Sequence, residues 1–336
     1  KQYQTSAQWL DAFPEDGFNA VKPEGEFRVF CLGGSTVHGR PFSKDTSFTT
    51  WLELTLNTGD TSRRARVINC GGISFASYRL VPILSEVLDY EPDLIIVYTG
   101  HNEFLEDRTY KHLKDMPDAV LQVSARASRL RTIRLLHRWW NSDDVPATND
   151  ASQQSGSADD RTQLAPEVKA KLDRGLKLYH RDEAWRQGVI EHYRYNLRRM
   201  VQLATERNVP IVLCDPASNL RDCPPFKSEP TEGLDEPTQE RVLDLIFEAN
   251  NAIADDRRVD RIRILEQALE LDPKNATLWY DLAKSCDALG RVDEARRAYT
   301  QAKEHDVCPL RAIDAFSEAV RETASKTDAI YVDARG

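Results

Sequence analysis

Phe27-Arg28-Val29-Phe30-Cys31-Leu32-Gly33-Gly34-Ser35-Thr36 begins as an apolar run and ends in a glycine turn that delivers a serine. A second stretch, Leu94-Ile95-Ile96-Val97-Tyr98-Thr99-Gly100-His101-Asn102-Glu103, repeats the arrangement with an asparagine after the turn. Apolar runs without polar alternation suit strands covered on both faces, as in a parallel sheet. In an open α/β sheet the crevice for ligands lies at the carboxyl ends of the strands. The two turns therefore aim a hydroxyl and a side-chain amide at that crevice, a nucleophile and a donor for a developing oxyanion.

Working outward, strands are expected at 27–32, 66–69, 94–98, 209–214 and 329–332, and helices at 45–57, 77–89, 183–206 and 309–325. Five strands alternating with crossover helices give the expected fold class: α/β, a flavodoxin-like doubly wound parallel five-stranded sheet in the order 2-1-3-4-5, with an inserted α-helical repeat segment. The domain expectation is an α/β core over 1–236, a helical insertion over 237–308, and the last helix and strand of the core over 309–336.

Residues 104–182 interrupt the core. Val120 to Trp140 reads as a basic amphipathic helix, with Arg126, Arg129, Arg131, Arg134 and Arg138 beside Leu130, Ile133, Leu136 and Trp140. A helix packed on the core with a solvated arginine face is favoured over a membrane-surface helix or an active-site lid. Residues 141–165 are Ser-, Asp- and Gln-rich with few large apolar side chains, and are expected to be disordered.

In the second insertion, Trp279, Leu282, Ala283, Gly290, Ala295 and Tyr299 fall at the positions of a tetratricopeptide repeat, which this segment resembles. Leu265 to Pro273 resembles the end of a preceding repeat. One and a half repeats lack a core of their own. Residues 256–308 are therefore expected to form an antiparallel pair leaning on the α/β core through Trp279, Leu282 or Tyr299. A helical spacer and a groove for a protein or peptide partner weigh equally.

Gly33-Gly34-Ser35, Asn69 to Ser74, and Gly100-His101-Asn102-Glu103 together resemble the three blocks of the SGNH (GDSL-like) hydrolase family. The family has Gly-Asp-Ser in the first block and Gly-x-Asn-Asp in the third, so both departures fall on the acid beside the reactive residue. The resemblance covers roughly 1–120 well and 183–215 and 309–333 as scaffold. It implies a serine ester hydrolase that transfers an acyl group to water without a cofactor or metal. Ser35 would be the nucleophile; the Ser35 and Ser74 N–H groups and the Asn102 amide would form the oxyanion hole, with Gly72 replacing Ser74 if the register slips. Gly34, His38, His101 and Asn219 are the candidate substrate contacts. The substrate would be a small ester: an acetylated carbohydrate, a lipid or a short acyl ester.

The family's base lies in an Asp-x-x-His after the fifth strand. None of His38, His101, His112, His137, His180, His192 and His305 has an aspartate three residues before it. The pair is expected downstream of Gly336, which would leave this chain an incomplete enzyme. His38 and His101 flank the site in sequence, but neither has an evident carboxylate to orient it. Asn219 and Arg221, in the Ser218–Pro225 loop, read equally well as substrate contacts or as parts of a capped polar loop. The alternative of another class is a catalytically silent scaffold whose repeat helices bind a protein. A phosphate loop over Gly34 to Pro41 fails where chemistry is needed, because Arg40 and Pro41 stand in place of lysine and a hydroxyl residue.

The formal charge of -9 over 336 residues argues against a nucleic-acid partner. No eighteen-residue apolar run exists to span a membrane as a helix. The chain begins at Lys1, so localisation stays open: membrane-anchored or extracytoplasmic if an upstream segment was removed, cytoplasmic otherwise. The six cysteines contain no Cys-x-x-Cys, and Cys31, Cys70 and Cys214 read as buried free thiols at strand ends.

Overall fold

The computed structural model describes residues 1–59, 63–105, 179–254 and 257–335. The expected basic helix at 120–140 and the segment 141–165 lie outside them, as do His112 and His137. A short antiparallel pair, β1 (Gln2–Gln4) and β2 (Gly17–Asn19), precedes the sheet. The sheet itself consists of β3 (Glu26–Gly33), β4 (Arg64–Gly71), β5 (Leu94–Tyr98), β6 (Ile211–Cys214) and β7 (Ile330–Val332). All neighbouring pairs run parallel, in the order β4-β3-β5-β6-β7.

Parallel strands need cover on both faces. One face is closed by α3 (Ser77–Val87), α4 (Glu183–Glu206) and α9 (Asp314–Ser325), whose Leu80, Leu84, Tyr193, Leu197 and Phe316 bury Phe30, Leu32, Ile95 and Val97. The other carries the one-turn α1 (Ser35–His38) and α2 (Phe48–Thr58), which pack on Val29, Cys31, Val67 and Ile96. Cover thins out towards the last strand, where Ile330 is 50% and Val332 41% exposed.

Four further helices form an array: α5 (Glu236–Ala254), α6 (Arg258–Leu271), α7 (Ala276–Ala288) and α8 (Val292–His305). This corrects the expectation that the segment lacks a core of its own, because α5 packs on α6 ahead of α7 and α8. Val242, Leu245 and Ala249 of α5 complete a cluster with Ile262, Leu265, Leu278 and Tyr299. The array thus has an apolar core of its own. Leu282 and Tyr299 are buried within it, not against the sheet, and the Trp279 indole donates to the Pro273 carbonyl at 2.8 Å. Contact with the α/β core includes Arg186–Glu304 at 3.0 Å, Arg221–Asp287 at 2.7 Å and the buried Lys303 with Asp314 at 2.8 Å, beside apolar contacts of Leu220 with the array and of Trp185 and Tyr179 with Val307 and Cys308.

Near the crevice, Asn69 ties β4 to the chain that follows β3. Its Nδ2 donates to the Val37 carbonyl at 2.7 Å and to Thr49 Oγ1 at 2.9 Å, and its Oδ1 accepts the Gly71 N–H at 2.9 Å. The side chain is 4% exposed, so truncation would strand several buried groups. Asn69→Ala should lower stability by about 2–4 kcal/mol, from the desolvation penalty of unpaired buried groups. Urea denaturation checks this, and an unchanged midpoint would contradict the assigned role.

Candidate active site

The serine turn is set by backbone geometry. Gly34 caps α1 in extended conformation, and Gly39 ends it at φ 108°, a left-handed value suited to glycine. Ser35 opens the helical turn, half-buried, and its Oγ has no hydrogen-bond partner among the described residues. First-turn N–H groups of a helix lack intrahelical acceptors, so the Ser35 N–H is open to an anion.

Asn102 reaches this turn from the end of β5. A Cβ added to Gly34 would lie 2.6 Å from Asn102 Nδ2 and 3.3 Å from the Phe75 carbonyl oxygen. Asn102 is 9% exposed and donates one amide proton to that carbonyl at 3.1 Å. The amide has a second proton, which that bond leaves free. The third element is the turn Gly72–Phe75, closed by Phe75 N–H to the Gly72 carbonyl at 3.2 Å. Ser74 is its exposed third residue, at φ 61°, and its N–H has no acceptor among the described residues. Gly72 cannot serve instead: its N–H is spent on the Gly33 carbonyl at 2.9 Å. Gly34, Ser35, Asn102 and the Ser74 turn are thus neighbours at the carboxyl ends of β3, β4 and β5.

The other candidates are engaged differently. His101 binds the Ala217 carbonyl through Nε2 at 2.8 Å, with its ring edge-on to Tyr98. His38 is buried beside Gly71, and its Nδ1 is enclosed without a partner. Burial lowers the pKa of both imidazoles, with Arg40 adding to the effect at His38. Asn219 is exposed and closes its own loop by accepting the Asp222 N–H at 2.9 Å, while Arg221 pairs with Asp287 of the array. His180 pairs with Glu229 at 2.9 Å, near the junction with the array. No group of three or more metal-ligating side chains occurs among the described residues.

Sequence reasoning assigned no role to Glu103, which the structure supplies. Its carboxylate accepts the Ser77 N–H at 2.9 Å and the Ser77 hydroxyl at 2.8 Å, and Asn196 donates to the same Ser77 Oγ at 3.0 Å. The acid beside Asn102 therefore caps α3 and anchors the loop that carries Asn102. The signal was present as an acid directly after Asn102, but its partner lies 26 residues away.

A family model described as Tetratricopeptide repeat matches residues 253–307. No curated protein matches the chain in sequence. Among solved structures, the chain is similar to AlinE4, described as an SGNH-hydrolase family esterase, at 16% identity and TM-score 0.31. That match covers 59% of this chain and 63% of AlinE4, so the chain spans less than two thirds of that esterase's length. It is also similar to an acetyl xylan esterase, AlAXEase, at 10% identity and TM-score 0.36, over 92% of this chain and 77% of that one.

Two outcomes follow. Glu103→Ala should cost about 1–3 kcal/mol, through loss of a cap and an unpaired buried hydroxyl, measured by chemical denaturation. The depressed imidazoles make a pH prediction. Below about pH 6.5 the unfolded chain takes up protons that His38 and His101 refuse in the folded state. Their contribution to stability is therefore full above that pH and is lost as pH falls through it. His101→Asn should flatten the decline in denaturation midpoint between pH 7.5 and 5.5; an unaltered slope would rule out this source.

Proposed function

We propose that the chain is a serine ester hydrolase of SGNH type, built on a sheet doubly wound in the flavodoxin manner and interrupted by the helical insertion 237–308. Ser35 is the nucleophile. The Ser35 and Ser74 N–H groups and the free Asn102 amide proton receive the oxyanion of the tetrahedral intermediate. What carries the reading is the approach of the Asn102 amide to Gly34, directly before an unpartnered serine hydroxyl at a helix start. The left-handed backbone at Ser74, which leaves its N–H without an acceptor, supports it independently.

In this mechanism Ser35 Oγ attacks the ester carbonyl, the alkoxide leaves, and water releases the acyl group from the serine. Attack needs a base to take the hydroxyl proton. His101 spends Nε2 on a main-chain carbonyl, and His38 is buried without a carboxylate to orient it. The family resemblance assigns the base to the imidazole of an Asp-x-x-His, which residues 1–336 do not contain. The substrate is a small ester, with acetylated carbohydrate, lipid and short acyl esters all compatible.

Because residues 1–336 contain no Asp-x-x-His, they should hydrolyse a short activated acyl ester slowly, since losing one member of a catalytic unit costs on the order of 10⁴- to 10⁶-fold. Added imidazole should raise the Ser35-dependent part of the rate. Ser35→Ala should remove that part, and Asn102→Ala should lower it by about 100- to 1000-fold. If Ser35→Ala leaves the rate unchanged with and without imidazole, the hydrolase reading fails and the silent-scaffold reading, with the array as the working surface, takes its place.

A further inference from the structure

We propose that the cleft between the start of α4 and the ends of the array helices binds an oxyanion, the carboxylate or phosphate group of a small ligand, through Arg181, Lys274 and His305. The cleft holds about 240 Å³ at the junction of the α/β core and the array, and Ser35, Ser74 and Asn102 are not among its lining residues. The inference does not depend on the hydrolase reading.

Arg181 is the first reason. Its Nη2 donates to the main-chain carbonyls of Glu229 at 3.0 Å and Lys274 at 2.9 Å; its main-chain N–H donates to the Glu229 carboxylate at 2.7 Å, but its guanidinium pairs with no carboxylate among the described residues. Its Nε is enclosed and has no acceptor. A buried guanidinium N–H without an acceptor costs free energy comparable to a lost charged hydrogen bond, and calls for a missing anion or water. Lys274, exposed at the cleft mouth, also has no carboxylate partner among the described residues.

His305 is the second reason. It is half-buried in the cleft wall with no hydrogen bond among the described residues. Desolvation lowers its pKa most, and Arg181, Arg186 and Lys274 lower it further, opposed by Glu304. The surroundings of the imidazole are thus net cationic.

Three of the four acids lining the cleft are already committed. Glu304 accepts from Arg186 at 3.0 Å and from the Asp314 N–H at 2.8 Å, and lies 3.2 Å from Lys303. Asp306 takes the N–H groups of Phe226, Lys227 and Cys308 and faces Arg311. Asp182 caps α4 through the Trp185 N–H at 2.9 Å, and Glu183 is exposed on the first turn. Three donors therefore converge on one cleft in which Glu183, exposed on the first helical turn, is the one lining acid without a partner among the described residues. The start of a 24-residue helix adds partial positive charge at the same place.

The test follows the His305 imidazole by NMR, assigned with His305→Asn, during titration of the whole chain with inorganic phosphate or acetate. Sodium chloride at matched ionic strength is the control. An anion seated against the imidazole stabilises its charged form, so the His305 pKa should rise with phosphate or acetate and stay put in chloride. A response to phosphate alone assigns the site to phosphorylated ligands, and one to acetate alone to carboxylates. Lys274→Ala, which removes an exposed side chain, should weaken binding at least tenfold, as should Arg181→Gln; Lys274→Arg should retain it. Lys284→Ala, an exposed lysine outside the cleft, should leave it unchanged. No rise beyond chloride with either anion, or equal binding by Lys274→Ala and Arg181→Gln, overturns the proposal.

Discussion

The close approach of β5 to the end of β3 is the constraint on which the candidate site depends. Gly33 pairs in register with Tyr98 on one side and Gly71 on the other. A Cβ at Gly33 would overlap the Tyr98 carbonyl, and one at Gly34 would crowd the Asn102 amide. Only residues without side chains let three strand ends meet this tightly. The same contact explains why Gly72 is not a free donor, since its N–H extends the β3–β4 ladder by one bond to Gly33. The next open N–H in that loop is that of Ser74, where the chain turns left-handed.

Around this point the fold relies on buried polar groups that are satisfied. Asn69 and Glu103 do related work on opposite sides of the crevice: one holds the chain after β3 to β4, the other holds the Asn102 loop to α3. Asp16, 8% exposed, adds a third tie by accepting the Asn69 N–H and pairing with Arg66 and Lys44. Buried networks of this kind are costly if half-made, so they fix one arrangement of the loops. An apolar contact of equal area would leave the loops freer to slide.

The helical array obeys a different rule. Two complete hairpins bury their own apolar faces, so the array needs no hydrophobic docking on the sheet. Its junction with the core accordingly combines small apolar contacts with ion pairs and main-chain hydrogen bonds, such as Arg186 with Glu304 and Tyr280 to the Arg221 carbonyl. A junction of that composition leaves charged side chains with spare valence. Arg181 and His305 sit where it does.

The sequence by itself determined the elements and the placement of the reactive types. The apolar runs at 27–32 and 94–98 became β3 and β5 within a residue, and the helix expected at 183–206 spans Glu183–Glu206, because burial on both faces and helical periodicity are local properties of a chain. It also put Ser35, Ser74 and Asn102 just after strand ends. Tertiary structure alone decided how those groups are used. It committed His101 to Ala217, Asn219 to its own loop and Gly72 to Gly33, and it found a partner for Glu103 that no spacing foretold. It also packed α5 on α6 and so completed a core for the array, because Val242, Leu245 and Ala249 show their purpose only against α6. Hydrogen-bond partners and packing faces are set by contacts between residues far apart in the chain, and those distances exist only once the sheet has closed.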